Sequence, residues 1–337
     1  MFFLLSKDKN PQFPNHYQFG DLILNIDNGW TIDEDSTQIQ IYKGYAEGNI
    51  LSQPEYGNYC IWKFDKLTKQ ATMATNRYRS FSTFYSPGVA VTNLIKYDNN
   101  IWADSNIIVD QNITITEEKY DVIGEIDTSE LSLADALDAV HKRIDSHVKS
   151  FVESNTLPLK IFLSGGMDSM LVFSYIKQHT DQYEHIFENR MQWDYFWCQN
   201  RHIISNQFWG YTQIHHWLEP CALSSGAPGD EYMLRNPDMV RTWAAYHGID
   251  MNECFEMSNY RYSQEPYFEK SKDFVPDSNQ LEMSNKDFVW SQCNQLVNDS
   301  QHWHLGNTLT FTPLLDLEIF KTIVRVNPKQ LMTHVGG

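Results

Sequence analysis

The chain has 337 residues, 42% of them hydrophobic and 14% aromatic, enough apolar side chains for a proper core, which excludes a disordered tail. Lys and Arg number 26 against 43 Asp and Glu, a formal net charge of −17, and a field of that sign repels phosphate backbones and argues against nucleic acid as the main partner. The five cysteines, Cys60, Cys198, Cys221, Cys254 and Cys293, are odd in number and show no C-x-x-C spacing, so they read as reduced thiols and form neither a disulfide framework nor a zinc site.

Met1-Phe2-Phe3-Leu4-Leu5 reads as a first buried strand; it is too short for a leader and has no basic segment before it. No apolar run approaches the ~18 residues of a membrane span. A soluble, cytoplasmic chain with no membrane partner is the expectation. Residues 1–125 alternate short strands with Asn, Asp and Gly clusters, as at Leu22–Ile26, Ile39–Tyr42, Tyr59–Phe64 and Asn106–Val109. Between residues 118 and 130 the pattern changes. Ser129 to Asn155 carries Leu133, Leu137, Val140, Ile144, Val148 and Val152 at helical spacing. Strands and helices then alternate. Strands are expected at Leu159–Leu163, Tyr183–Phe187 and Gln213–Leu218, and helices at Ser169–Gln178, Tyr195–Trp209 and Pro237–His247, before an apolar stretch at Ile249–Phe255. That order predicts a β-rich domain over 1–125 and a parallel-sheet α/β domain over 126–337.

The strongest local string is Leu163-Ser164-Gly165-Gly166-Met167-Asp168-Ser169, where a buried strand gives way to a helix. Two glycines let the backbone turn tightly and approach a ligand closely. The helix start offers free N–H groups and a positive dipole end, a setting for an anion such as pyrophosphate. Ser164 and Ser169 add hydroxyl donors, and Asp168 can hold the Mg2+ that accompanies a triphosphate. A serine-capped strand-to-helix turn is the plain alternative, but the length of the string in this setting favours a ligand.

The S-G-G-x-D-S string resembles the signature loop of the N-type ATP pyrophosphatases, the PP-loop enzymes, which split ATP between its α- and β-phosphates. Phe311 to Phe320 with Arg325-Val326-Asn327-Pro328 resembles a late segment of asparagine synthetases, in which P-x-x-D opens a helix that ends at N-P. Asp316 reads there as the helix cap. Tyr211 to His216 resembles the third strand of the same family. Gly57 to Phe64, Asn76 to Phe81 and Phe84 to Ser86 resemble its N-terminal glutamine amidotransferase domain, of Ntn type. In that domain a cysteine directly after the initiator Met attacks glutamine. Phe2 stands here and is no nucleophile, and Cys60 lies within a strand, so no glutaminase activity is expected.

The chain also departs from the family. Its second acidic loop, S-G-x-G-x-D-E, finds its nearest match in Ser225-Gly226-Ala227-Pro228-Gly229-Asp230-Glu231. The resemblance makes Asp230 a metal-ligand candidate, with Glu231 beside it, and puts uncharged Ala227 at the amine-contacting position. Read along the chain, this loop follows the third strand, one helix and one strand early, which leaves Glu256 after the presumed fourth strand as a rival. A solvated first helical turn is the plain alternative for Asp230 and Glu231. The family's pyrophosphate-binding lysine lies past the N-P, and neither Lys321 nor Lys329 fits its position before the sequence reaches His334-Val335-Gly336-Gly337. A homodimer, or a partner supplying that segment, stays open. His302-Trp303-His304 and His215-His216 lack metal-site spacing, and Trp193, Tyr195, Phe196 and Trp197 read as core or partner surface.

The resemblance therefore implies an α/β fold, an adenine-nucleotide alpha hydrolase-like (PP-loop) domain preceded by a degenerate β-rich Ntn-like domain. It implies ATP and Mg2+ as cofactors and a small-molecule carboxylate and amine as substrates. The nucleotide contacts are Leu163, Ser164, Gly165, Gly166, Asp168, Ser169 and, at the end of the second strand, Phe187. Asp168, Asp230 and Glu231 are the catalytic candidates, and Asp168 and Asp230 the metal ligands. A non-catalytic ATP-binding protein and a PP-loop enzyme that modifies a nucleobase or tRNA are the alternatives.

Overall fold

The computed structural model describes residues 3–54, 56–75, 83–92, 101–102, 106–118, 127, 129–163, 167–187, 220–224, 226, 308–327 and 330. The chain divides into two compact units, one of Met1–Tyr120, Lys149–Ser225 and Asn298–Thr312, the other of Asp121–Val148, Gly226–Val297 and Pro313–Gly337.

In the first unit the described strands begin with β1 (Phe3–Ser6), β2 (Asn15–Phe19), β3 (Leu22–Ile26), β4 (Thr31–Glu34), β5 (Gln38–Ala46), β6 (Gly57–Asp65), β7 (Ala71–Thr75), β8 (Phe84–Ser86), β9 (Ala90–Thr92), β10 (Ile101–Trp102), β11 (Asn106–Val109) and β12 (Ile115–Glu118). They form two antiparallel sheets, ordered β10-β8-β9-β1-β3-β2 and β12-β11-β7-β6-β5-β4. Phe3, Leu5 and Leu24 from the first share one buried cluster with Ile41, Trp62, Met73 and Val109 from the second, so the sheets pack face to face. Phe3 meets Trp62 edge-on at 5.4 Å between ring centroids. Each such side chain removed from water contributes about 1.5–3 kcal/mol. Both faces of strand β6 reach a core: Cys60, Trp62 and Phe64 enter this one, while Tyr59 and Ile61 join Ala46 and Ala74 in a second cluster.

Two positions show what the sandwich requires of its sequence. Gly57 opens β6 at φ +143 with Ala46 opposite it, and a Cβ there would lie 2.6 Å from Ala46 Cα and closer still to the Tyr45 carbonyl oxygen. Asn25, at 0% exposure in the middle of β3, is the polar exception in an apolar strand. Its Nδ2 donates to the carbonyls of Leu4 (3.0 Å) and Asp8 (3.2 Å), and its Oδ1 accepts from the Asn10 amide (2.8 Å). One amide side chain thus pairs the carbonyl of Leu4 within β1 and backbone groups of Asp8 and Asn10 in the segment after it.

The same unit contains β13 (Leu159–Leu163), α2 (Met167–His179), β14 (Glu184–Phe187), β15 (Cys221–Ser224) and β16 (Thr308–Phe311), preceded by the long helix α1 (Leu133–Ser154), whose last residues belong to it. The four strands form a parallel sheet ordered β14-β13-β15-β16. The fold is therefore mixed α/β, two antiparallel sheets with one parallel sheet. Phe151 stacks on Phe311 at 4.0 Å, and Tyr45 of β5 meets both rings edge-on at 5.0 and 5.8 Å. The Tyr56 hydroxyl donates to the Thr312 carbonyl at 3.3 Å.

In the second unit, α1 starts where Ser132 and Asp135 cap it reciprocally: the Asp135 amide donates to Ser132 Oγ (3.1 Å), which donates to the Asp135 carboxylate (2.6 Å). That cap explains a start at Leu133 when periodicity alone suggests Ser129. The buried stripe runs through Ala136, Val140, Ile144, His147 and Val148, whereas Leu137, expected on the apolar face, is 57% exposed. A second helix, α3 (Leu317–Ile323), follows. Leu131 bridges to Val326 beside it, and Arg325 holds Ser129 and Asp127.

Strands β3, β11 and β13 have the bounds their sequences suggest. The segments expected as helices at 195–209 and 237–247 and as strands at 213–218 and 249–255 lie outside the described residues. Among the described residues no helix is long and apolar enough to cross a membrane. Replacing Asn25 with Ala is expected to cost about 2–3 kcal/mol, since buried carbonyls and an amide lose their partner. Urea denaturation of the two proteins, with unchanged m-values, measures it.

Candidate functional site

The parallel sheet determines where chemistry can gather. Its four strands run the same way, so their carboxyl ends share one edge. From β13 the chain passes through α2 to β14 on one side, while β15 lies on the other. Among the described strands, β13 and β15 thus flank a topological switch point, the crevice in which open parallel sheets take their ligands.

The register fixes the details. Ile161 pairs with Ser224 and Leu163 with Phe187, so the ends of β13, β14 and β15 lie level within a residue or two. Leu163 is buried, and α2 begins at Met167, so the strand turns into the helix across the three residues 164–166. Ser164, Gly165 and Gly166 lie outside the described residues. In the first turn of α2, Asp168 is half-buried and Ser169 is 4% exposed, while Met167 and Met170 face solvent. The helix starts at Met167, two residues before the Ser169 expected from sequence, which puts Asp168 inside the first turn where the dipole favours a carboxylate.

Strand β15 changes the reading of the second loop. Its four residues, Cys221 to Ser224, are all buried and were not foreseen as a strand. They pair directly with β13, and Ser225-Gly226 follows at once. In sequence, the Ser225 to Glu231 string follows directly after β15, so the strand before it is Cys221–Ser224. Asp230, Glu231 and the rival Glu256 lie outside the described residues, as do the histidines at 215, 216, 302 and 304, the aromatic run at 193–197, Phe2 and Lys329.

The hydroxyl of Ser224 is fully enclosed and, among the described residues, has no hydrogen-bond partner. Burial pushes the Cys221 thiol up to about 11, with Lys160 opposing, and raises that of Cys60 as well. Neither is poised as a nucleophile. Among the described residues no cluster of three or more His, Cys, Asp or Glu could hold a metal ion.

Asp316 forms the densest charge cluster, wholly within the second unit. It is the N-cap of α3, its Oδ1 accepting from the Glu318 amide at 2.9 Å, as expected of a cap. Its carboxylate also accepts from Arg143 Nε and Nη2 and from His147 Nε2 at 2.7 Å. The carboxylate is fully buried, His147 is 3% exposed and Arg143 35%. Arg143 and His147 sit one turn apart on α1, but 173 and 169 residues from Asp316, so nothing local in the sequence announces them. Lys321 pairs with Glu318 at 2.7 Å.

No protein-family model matches the chain, and no curated protein matches its sequence.

Burial raises the Asp316 pKa, but the hydrogen bonds and charges of His147 and Arg143 outweigh it and hold the carboxyl below the usual range. A depressed folded pKa stabilises the protein above the unfolded value, near 4, and that share is lost as pH falls through the folded one. Asp316→Asn keeps a capping oxygen but leaves Arg143 without its anion, at a cost of about 2–3 kcal/mol at neutral pH. The difference in Tm between wild type and variant is expected to shrink as pH falls below about 4; a constant difference from pH 7 to 3 would contradict it.

Proposed function

We propose that the chain is an ATP-dependent, AMP-forming carbon–nitrogen ligase of the asparagine synthetase type, built on a PP-loop domain and lacking glutaminase activity. The reading is carried by two strings taken with the pairing of the strands that precede them. In sequence, S-G-G-x-D-S follows Leu163 of β13 and S-G-x-x-x-D-E follows Ser224 of β15, and these two strands pair in parallel at the switch point.

The residues present suit a polyphosphate. A glycine pair at a strand-to-helix turn exposes amides, the α2 N-terminus favours an anion, and Asp168 supplies the hard oxygen donor that Mg2+ prefers. Asp168, with Asp230 from the second loop, would hold the ion, which when bound offsets phosphate charge. Leu163, Ser164, Gly165, Gly166, Ser169 and Phe187 would contact the nucleotide.

In the proposed reaction a substrate carboxylate oxygen attacks the α-phosphorus of ATP. The bond to the β-phosphate bridging oxygen breaks, and pyrophosphate leaves with the electron pair. An amine then attacks the acyl carbon of the adenylate, AMP departs, and the amine loses a proton to give the amide. Preorganised amides and cations at the phosphates are the main catalytic lever for such a step. Ala227 in place of an acidic residue leaves the amine side uncharged, so ammonia or an amine carried on a larger molecule fits better than the family's own route.

Pyrophosphate release from Mg-ATP, measured across a panel of amino and carboxylic acids, tests the reading. Wild type is expected to release pyrophosphate with at least one acid, and Asp168→Ala to lose about a hundredfold or more in kcat/KM, the scale of a removed charge-stabilising group. Equal rates for the two proteins would exclude the mechanism. Tight ATP binding without turnover for any acid would favour a non-catalytic nucleotide-binding protein.

A further inference from the structure

Ser224 is the last residue of β15, level with the final turns of backbone before the switch point. In the parallel register its partners on either side are Ile161 of β13 and Phe311 of β16, both hydrocarbon side chains that offer a hydroxyl nothing. Ala222, two residues earlier, fills the equivalent place one row down with a methyl group. A serine at 0% exposure in this row carries a hydroxyl that has no hydrogen-bond partner among the described residues. Such a group costs about 1–3 kcal/mol, and alanine would avoid the cost at once. Local conflicts of this kind concentrate where a ligand resolves them.

We propose that the Ser224 hydroxyl is held for the ligand and donates a hydrogen bond to an oxygen of the nucleotide's phosphate chain. This rests on the reading of the β13–β15 edge as a nucleotide site, and adds to it a donor from the sheet itself beside those of the two loops. The hydroxyl is enclosed in the ligand-free chain, so binding includes a local opening at the ends of β13 and β15. A hydroxyl donating to an anionic oxygen forms one of the stronger protein hydrogen bonds, while the free protein gains nothing from it. The signature is thus an unusual pair of effects: removing the hydroxyl weakens ligand binding and spares or raises the stability of the free chain.

Calorimetric titration of the full chain with Mg-ATP and with adenosine, paired with thermal unfolding without ligand, tests it on Ser224→Ala and on Ser224→Cys, which keeps the volume but donates poorly. Both variants are expected to bind Mg-ATP about tenfold or more weakly, with adenosine affinity unchanged and a ligand-free Tm at or above that of wild type. Should Ser224→Ala not fold, Ser224→Cys decides by the same measurements. Wild-type affinity for Mg-ATP in the variants, or equal losses for Mg-ATP and adenosine, would overturn the proposal and leave the nucleotide site standing. Failure of the wild-type chain to bind Mg-ATP would remove both.

Discussion

The parallel register of β13 against β15 is the constraint from which the site follows. Leu159 lies beside Ala222 and Ile161 beside Ser224, with Phe311 of β16 completing the row. Side chains alternate between faces, so a slip of one residue would move every buried group of β15 to the opposite face. It would also bring Lys160, which pairs with Glu184 at 2.6 Å, into the row now held by Ile161. The register brings the ends of the two strands together, with Ile161 beside Ser224.

Asp316 obeys a different logic. A carboxylate out of water is costly unless its charge is matched and its lone pairs are filled, and here four donors converge on two oxygens. Arrangements of this kind add little net stability relative to a well-packed apolar substitute. They are, however, intolerant of geometry: moving α3 by a fraction of a turn would leave a buried charge half-matched. The cluster therefore acts on which arrangement of α1 and α3 the second unit adopts, more than on how stable that arrangement is. His147 presents Nε2 to the carboxylate at 2.7 Å, and that nitrogen carries a proton as long as the carboxylate is ionised.

Strands such as Leu22–Ile26 and Leu159–Leu163 were legible because a compact apolar run between turn residues leaves few alternatives. The strand-to-helix turn after Leu163 was legible for the same reason, with two glycines marking it. Strand β15 was not. Four residues beginning at a cysteine, directly after a proline, carry no period, and only their pairing with β13 shows what they are. Leu137 misled because helical spacing permits more than one apolar stripe, and the choice is made by what packs against the helix. Arg143 and His147 look like ordinary polar positions on an amphipathic helix until the fold closes a separation of about 170 residues. The orphan hydroxyl of Ser224 is invisible in sequence for a related reason, since only burial distinguishes a functional serine from a solvated one.

The sandwich supports the parallel sheet at β16. Phe311 ends the strand that flanks β15, and its ring is enclosed by Phe151 on one side and by Tyr45 of the antiparallel layer on another. Tyr56 of the same layer ties the next carbonyl, that of Thr312. Without Tyr45 and Tyr56 of the sandwich, the stacked pair Phe151–Phe311 on β16, the last strand in the described order, would lose its cover, a state that favours aggregation over a defined register. The row Ile161, Ser224 and Phe311 would then lose its outer support, and with it the alignment of strand ends.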